Sequence, residues 1–100
     1  MHMDTPLIWD EDKREANLAK HGLDFADAAW VLESDIRLDV VVVRKGEERM
    51  QSFAYVFDRL AVLTLVHVER EIATRIISFR PASEDESETY HAWLEDTDGS

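Results

Sequence analysis

From Ile36 onward the chain stops reading as helix. Ile36, Leu38, Val40 and Val42 alternate with Arg37, Asp39, Val41 and Val43, the two-residue period of a strand with two unlike faces. Arg44-Lys45-Gly46-Glu47 makes a turn, and Glu48 to Phe57 reads as the returning strand. Asp58-Arg59 turns again into Leu60 to Glu69, and a tight turn near Arg70-Glu71 leads into Ile72 to Phe79. A parallel crossover needs about a dozen residues or more, so connections this short force neighbouring strands to run antiparallel. The middle of the chain is therefore an antiparallel meander, and what flanks it must pack on it.

The flanks are helical. After a short strand at Leu7-Ile8-Trp9, Asp10 serves as N-cap, and Glu11 and Asp12 place negative charge where the helix dipole favours it. That helix runs through Lys13, Ala16, Asn17 and Lys20 to Gly22, which supplies the left-handed terminal position. A second helix starts at Asp24, with Phe25, Ala28, Ala29 and Leu32 at helical spacing; Trp30 and Val31 fall off that stripe, so it is covered on more than one side. Pro81 ends the last strand, Ser83 and Glu86 form a capping box, and a third helix turns Tyr90, Trp93 and Leu94 toward the core. Asp96 to Ser100 reads as a frayed tail. The fold class is α+β in the order β-α-α-β-β-β-β-α, one domain over 1–100 with flexible ends at 1–6 and 95–100. Its core candidates are Trp9, Trp30, Trp93, Phe25, Phe53, Phe57 and Phe79. Each contributes about 2–3 kcal/mol when buried.

Composition excludes several functions. There is no cysteine, hence no disulfide and no thiolate metal site, in keeping with a reducing cytosol. No apolar run approaches the roughly 18–20 residues that span a bilayer, and the first residues lack a secretory signal, so a cytoplasmic protein is expected. No phosphate-binding glycine loop, dinucleotide fingerprint or zinc-helix motif is present. His2, His21, His67 and His91 lack metal-ligand spacing, and Ser52, Ser78, Ser83 and Ser87 occupy no nucleophile elbow. No metal and no cofactor are expected. The net charge of −11 opposes a phosphate backbone and suits a basic protein partner. Yet the acid is concentrated in Asp4 to Asp12 and Glu84 to Asp98, while Arg44, Lys45, Arg49, Arg70, Arg75 and Arg80 lie between them, leaving room for a locally basic face.

Three patches carry titratable groups at positions the fold should hold. Lys20-His21-Gly22 reads first as a helix C-cap, and Glu48-Arg49 as a solvated strand entry. His67 and Glu69 are two apart on one strand and share a face, while Arg75, Ser78 and Arg80 occupy the next strand. A Glu69–Arg75 cross-strand ion pair is the structural reading of that hairpin. Taken together, a histidine, a carboxylate and several arginines resemble a phosphate site, because arginine offers bidentate donors and His or Glu moves a proton.

The pattern as a whole resembles a known family. Trp9-Asp10, Lys13, Asn17, Lys20-His21-Gly22, Phe25 and Ala28 closely resemble the opening W-D-x-x-K-x-x-x-N-x-x-K-H-G-x-x-F-x-x-A of the BrnT toxins. Gly46-Glu47-Glu48-Arg49 looks like the family's G-E-x-R segment, Arg75-Ile76-Ile77-Ser78-Phe79-Arg80 is similar to its R-I-I-S-A-R strand, and Tyr90 matches a tyrosine in its last helix. The likeness spans roughly Leu7 to Leu94.

It implies a RelE-like ribonuclease fold in a type II toxin–antitoxin pair, with metal-independent RNA cleavage that inhibits translation. It also implies a DNA-binding BrnA antitoxin that neutralises the toxin, brings the complex to operator DNA and forms a heterotetramer with it. The implied chemistry is 2′-hydroxyl attack on the adjacent phosphate. Glu69 and His67 would serve as base and acid in either order, with Arg49, Arg75 and Arg80 as phosphate clamps and Lys20 and His21 as a further wall. Two departures stand out: Phe79 replaces a small residue and would crowd or re-aim the arginines, and the Arg70-Glu71-Ile72 turn lacks a glycine, which leaves its register open. The competing reading is a degenerate toxin that keeps only antitoxin binding and co-repression. A small enzyme of other chemistry has no motif behind it.

Overall fold

The computed structural model describes residues 5–98. The strands are β1 (Leu7–Ile8), β2 (Leu38–Arg44), β3 (Glu47–Val56), β4 (Ala61–Glu69) and β5 (Thr74–Pro81). The helices are α1 (Glu11–His21), α2 (Ala29–Leu32) and α3 (Glu84–Asp98), with a 3-10 turn at Phe25–Asp27. Strands β2 to β5 form the expected antiparallel meander, and the sheet order is β1-β5-β4-β3-β2. The sheet is nevertheless mixed. β1 lies parallel to β5, with Leu7 opposite Thr74 and Ile8 opposite Arg75, because the chain between them is long enough for a crossover.

Helix α1 is capped as its sequence dictates. The Asp10 side chain accepts from the backbone N–H groups of Asp12 and Lys13, and Gly22 closes the other end at φ 71°. Yet α1 buries none of its residues, so its apolar face does not hold it. Asn17 does. Since β1 covers only Thr74 and Arg75, the outer edge of β5 is bare further along, and Asn17 supplies the missing partners. Its Nδ2 donates to the Phe79 carbonyl at 2.7 Å and the Leu23 carbonyl at 3.0 Å, and its Oδ1 accepts from the Phe79 N–H at 3.2 Å. Asn17→Ala strands three backbone groups and is expected to cost about 2 kcal/mol, read as a lower urea midpoint at unchanged m-value.

The second helical segment is not one helix. A 3-10 turn capped by Asp24 precedes four residues of α2, and the buried residues are Phe25, Ala28 and Val31. Their spacing of three is the eclipsed period of a 3-10 helix, which explains why Val31 rather than Leu32 faces inward.

Each face of the sheet carries a core layer. On the α1/α2 side, Leu23, Phe25, Ala28 and Val31 pack on Ala54, Leu63, Leu65, Ile76 and Phe79. On the α3 side, Phe53, Val62 and Tyr90 are joined by Leu38, Val40, Trp93 and Leu94. β4, covered on both sides, is buried from Val62 to Val68, as a central strand should be. The Tyr90 hydroxyl donates to the Ile36 carbonyl at 2.7 Å and accepts from the Tyr55 N–H at 3.2 Å. The Ser83–Glu86 capping box forms in both directions.

A bulge in β5 decides where its side chains point. Val66 pairs with Ser78 but His67 with Ile76, so Ile77 is the extra residue. Ile76 and Phe79, three apart, therefore both enter the α1/α2 core. This corrects the expectation that Phe79 crowds the arginines: it is fully buried against Trp30, while Arg80 pairs across from Thr64 on the other face.

Other expectations are also revised. Phe57 is no core residue; β3 ends at Val56, and Phe57 stands in the turn, 73% exposed. β5 starts at Thr74, not Ile72, because Arg70 N–H closes a turn on the Ala73 carbonyl at 2.8 Å. That turn contains no positive-φ residue, so it needs no glycine. α3 continues through Asp98, past the start of the expected frayed tail; of the expected flexible ends, residues 1–4 and 99–100 lie outside the described residues.

Candidate functional site

A row of hydrogen-bonded polar side chains crosses the α1/α2 face at one end of the sheet. Ser52 on β3 and His67 on β4 are both buried, with Ser52 Oγ 2.8 Å from His67 Nε2. His67 Nδ1 lies 2.6 Å from Glu69 Oε2, and the other Glu69 oxygen accepts from Thr74 Oγ1 at 3.0 Å. In the other direction Ser52 Oγ donates to Asp39 Oδ1 at 2.6 Å, and Arg37 pairs with Asp39 at 3.0 Å. The strand period explains the row: Glu69 follows His67 by two, and the ladder sets Asp39 opposite Ser52.

Counting protons shows what the row can do. The contacts Asp39–Ser52, Ser52–His67 and His67–Glu69 need three protons, whereas one hydroxyl and a neutral imidazole carry two. Burial pulls the His67 pKa down, outweighing the opposing pull of the Glu69 and Asp39 carboxylates, and the Arg37 guanidinium adds to the lowering. At neutral pH the imidazole is therefore neutral and the row has room for one more proton. Glu69 is its outlet: its side chain is 54% exposed whereas that of His67 is 2% exposed.

This environment has a consequence for stability. The unfolded histidine titrates at its ordinary value of 6.5 and the folded one lower, so between the two the unfolded state binds more protons. Stability present above pH 6.5 is accordingly lost as pH falls through the folded value. His21 is lowered too, by burial and then by Lys20 and Arg80, and adds with the same sign. Urea midpoints are expected to decline from pH 7 toward pH 5, and His67→Gln to reduce that slope without abolishing it.

Six of the seven sequence-predicted site residues fall into three places, and Arg75 lies apart from them. His67 and Glu69 belong to the row, which opens into a cavity of about 290 Å³ lined also by Leu32, Arg37, Asp39 and Met50. Arg49 and Glu69 share a hollow of about 150 Å³ with Val41, Glu48 and Met50. Arg49 also lines a hollow of about 200 Å³ with Arg44, Gln51, Ser78 and Arg80. Lys20 and His21 end α1 close enough to Arg80 for its charge to depress the His21 pKa, so the helix end and the strand exit converge.

Two assignments change. Arg75 stands opposite Val68 rather than Glu69, on the other face from His67, so the expected Glu69–Arg75 ion pair does not form. Arg80 is not a free clamp: it grips Glu86 through two bonds of 2.7 and 2.9 Å, and that grip holds the Glu86 carboxyl down at about 2. Glu86 also accepts from Thr64 and Ser83, tying β4, β5 and α3 together. Arg49 leans on Glu47 at 3.1 Å. The sequence reading missed Arg37, Asp39 and Ser52; a carboxylate in an otherwise apolar alternation, with Arg37 two residues before it, was the available signal.

A family model described as "Ribonuclease toxin, BrnT, of type II toxin-antitoxin system" matches residues 9–86. The chain belongs to the BrnT family. The BrnT match runs from Trp9, ahead of α1, through the whole meander to Glu86 in the first turn of α3, and so contains all seven residues above. No curated protein matches the chain. Among the described residues of this BrnT chain, no helix is long and apolar enough to cross a membrane.

Proposed function

We propose that this BrnT-family protein is a cytoplasmic endoribonuclease toxin of RelE-like fold that cleaves RNA without a metal and thereby inhibits translation. One observation supports placing the site: Arg49 lines both the hollow it shares with Glu69 and the hollow it shares with Arg44 and Arg80. Met50 pairs with His67 on the α1/α2 face, so its neighbour Arg49 leaves β3 on the other face beside Arg44 and Arg80, and the proton acceptor and the cations flank β3 from opposite sides.

In this reading the exposed Glu69 carboxylate takes the proton from a 2′-hydroxyl, and the 2′-oxygen attacks the adjacent phosphorus. The P–O5′ bond breaks, leaving a cyclic phosphate and a 5′-oxygen that takes up a proton. His67 orients Glu69 from behind and accepts its proton through the 2.6 Å contact, because the row has room for one. Arg49 meets the charge developing on the phosphate.

The same reading has the toxin neutralised by a BrnA-like antitoxin, in a heterotetramer that reaches operator DNA only through the antitoxin. The net charge of −11 and the engagement of Arg80 with Glu86 favour one alternative, a non-catalytic co-repressor module. Expression without the antitoxin separates the two. Growth arrest by the wild type, lost in a folded Arg49→Ala variant, supports the nuclease; growth unaffected by a folded, abundant wild type supports the co-repressor.

A further inference from the structure

An open groove of about 550 Å³ runs between α2, the segment entering β2 and the end of β3. Its apolar lining includes Trp30, Ile36, Tyr55, Val56 and Phe57. Pairing between β2 and β3 stops at Leu38 opposite Phe53, so from Ala54 to Val56 β3 is paired with β4 alone and its β2 side has no strand beside it. Phe57 is 73% and Leu60, in the same turn, 77% exposed. Large apolar groups gathered at an uncovered sheet edge mark an interaction surface more often than a solvated one.

The polar groups indicate what covers it. Glu33, Asp35 and Asp58 line the groove, and none of their side chains has a hydrogen bond or ion pair among the described residues. Arg59 already lies over the Trp30 ring, 6.0 Å from its centroid, so the tryptophan face accepts a cation. Three unpaired carboxylates repel a phosphate backbone, and a second copy of this acidic chain would bring like charges together. A basic segment with an apolar anchor satisfies both the lining and the carboxylates.

We propose that this groove receives a basic, apolar-anchored segment of the antitoxin. The proposal rests on the reading of an antitoxin as partner, but not on where RNA is cut. The anchor packs among Trp30, Tyr55 and Phe57, whose aromatic rings supply large contact area at small entropic cost, while Lys or Arg side chains of the partner meet Asp35 and Asp58.

The test uses purified full-length protein and the purified antitoxin, with binding measured by calorimetry at low and high salt. Asp35→Lys/Asp58→Lys is expected to raise Kd at least about 10-fold and to flatten its salt dependence, and Phe57→Ser to raise it on the order of 100-fold. All three positions are exposed, so circular dichroism and urea midpoints stay at wild-type values. Wild-type affinity in both variants overturns the groove while leaving the antitoxin reading intact. Failure of the wild-type protein to bind antitoxin overturns both. Loss of self-association or of RNA affinity, with antitoxin affinity unchanged, also overturns the proposal.

Discussion

Phe79→Ala is expected to be the most destabilising single truncation in this protein, costing about 3–5 kcal/mol. The side chain is fully buried, edge-on to Trp30 at 6.5 Å, in the layer that joins α1 and α2 to the sheet. Its backbone is the strand edge that Asn17 caps, so a collapse around the missing ring also pulls on α1. A domain of this size commonly has only about 5–15 kcal/mol in hand, and the loss corresponds to a fall in Tm on the order of 20 °C. Phe79→Leu keeps most of the volume and is expected to lose less than half as much. Thermal unfolding by circular dichroism reads both. A Phe79→Ala midpoint within a few degrees of wild type would show that the bulge at Ile77 does not turn this residue into the core.

The largest effect on activity is expected at Glu69. Glu69→Gln keeps the shape and both contacts, since the amide oxygen accepts from Thr74 Oγ1 and the amide nitrogen donates to His67 Nδ1. It removes only the ability to take a proton. Loss of a general base costs about 10²–10⁴-fold in turnover, so single-turnover RNA cleavage should fall within that range at unchanged RNA affinity and unchanged urea midpoint. Full cleavage by Glu69→Gln would remove Glu69 as the base, and the row behind it would then be a purely structural network.

The sequence was most legible where one residue dictates one local geometry. Asp10, Gly22, Asp24 and the Ser83–Glu86 box each occupy the capping position that their chemistry requires. The short turns fixed the antiparallel order for the same kind of reason: their length leaves no other connection. Side-chain facing within β5 was not legible, because one bulged residue reverses the alternation from Ile77 onward and nothing in the sequence marks it. Arg75 and Glu69, adjacent in a simple reading of the hairpin, end on opposite faces because the turn sets Glu69 opposite Thr74 and Arg75 opposite Val68. Phe57 misled because hydrophobicity alone does not distinguish a core residue from a turn residue left for a partner to cover.

The candidate site was legible as a set of residue types and only partly as an arrangement. Lys20-His21 and Arg80 lie far apart in the chain, and the fold brings them together through the docking of α1 along β5. His67 and Glu69 stood out by spacing, yet the partners that fix their protonation, Ser52 and Asp39, come from strands whose register the sequence did not specify. Arg80 looked free in sequence because its partner Glu86 reads as a helix cap; it is both.

The account turns on whether Arg49 and Glu69 form one metal-independent ribonuclease site. Purified, antitoxin-free protein should be incubated with a long RNA in excess EDTA, beside an Arg49→Ala variant with a wild-type urea midpoint. The expected result is cleavage by the wild type to fragments ending in cyclic phosphate, at least about 100-fold slower in the variant, as for loss of a charge-stabilising donor. Intact RNA from folded wild-type protein, or equal cleavage by Arg49→Ala, would contradict it.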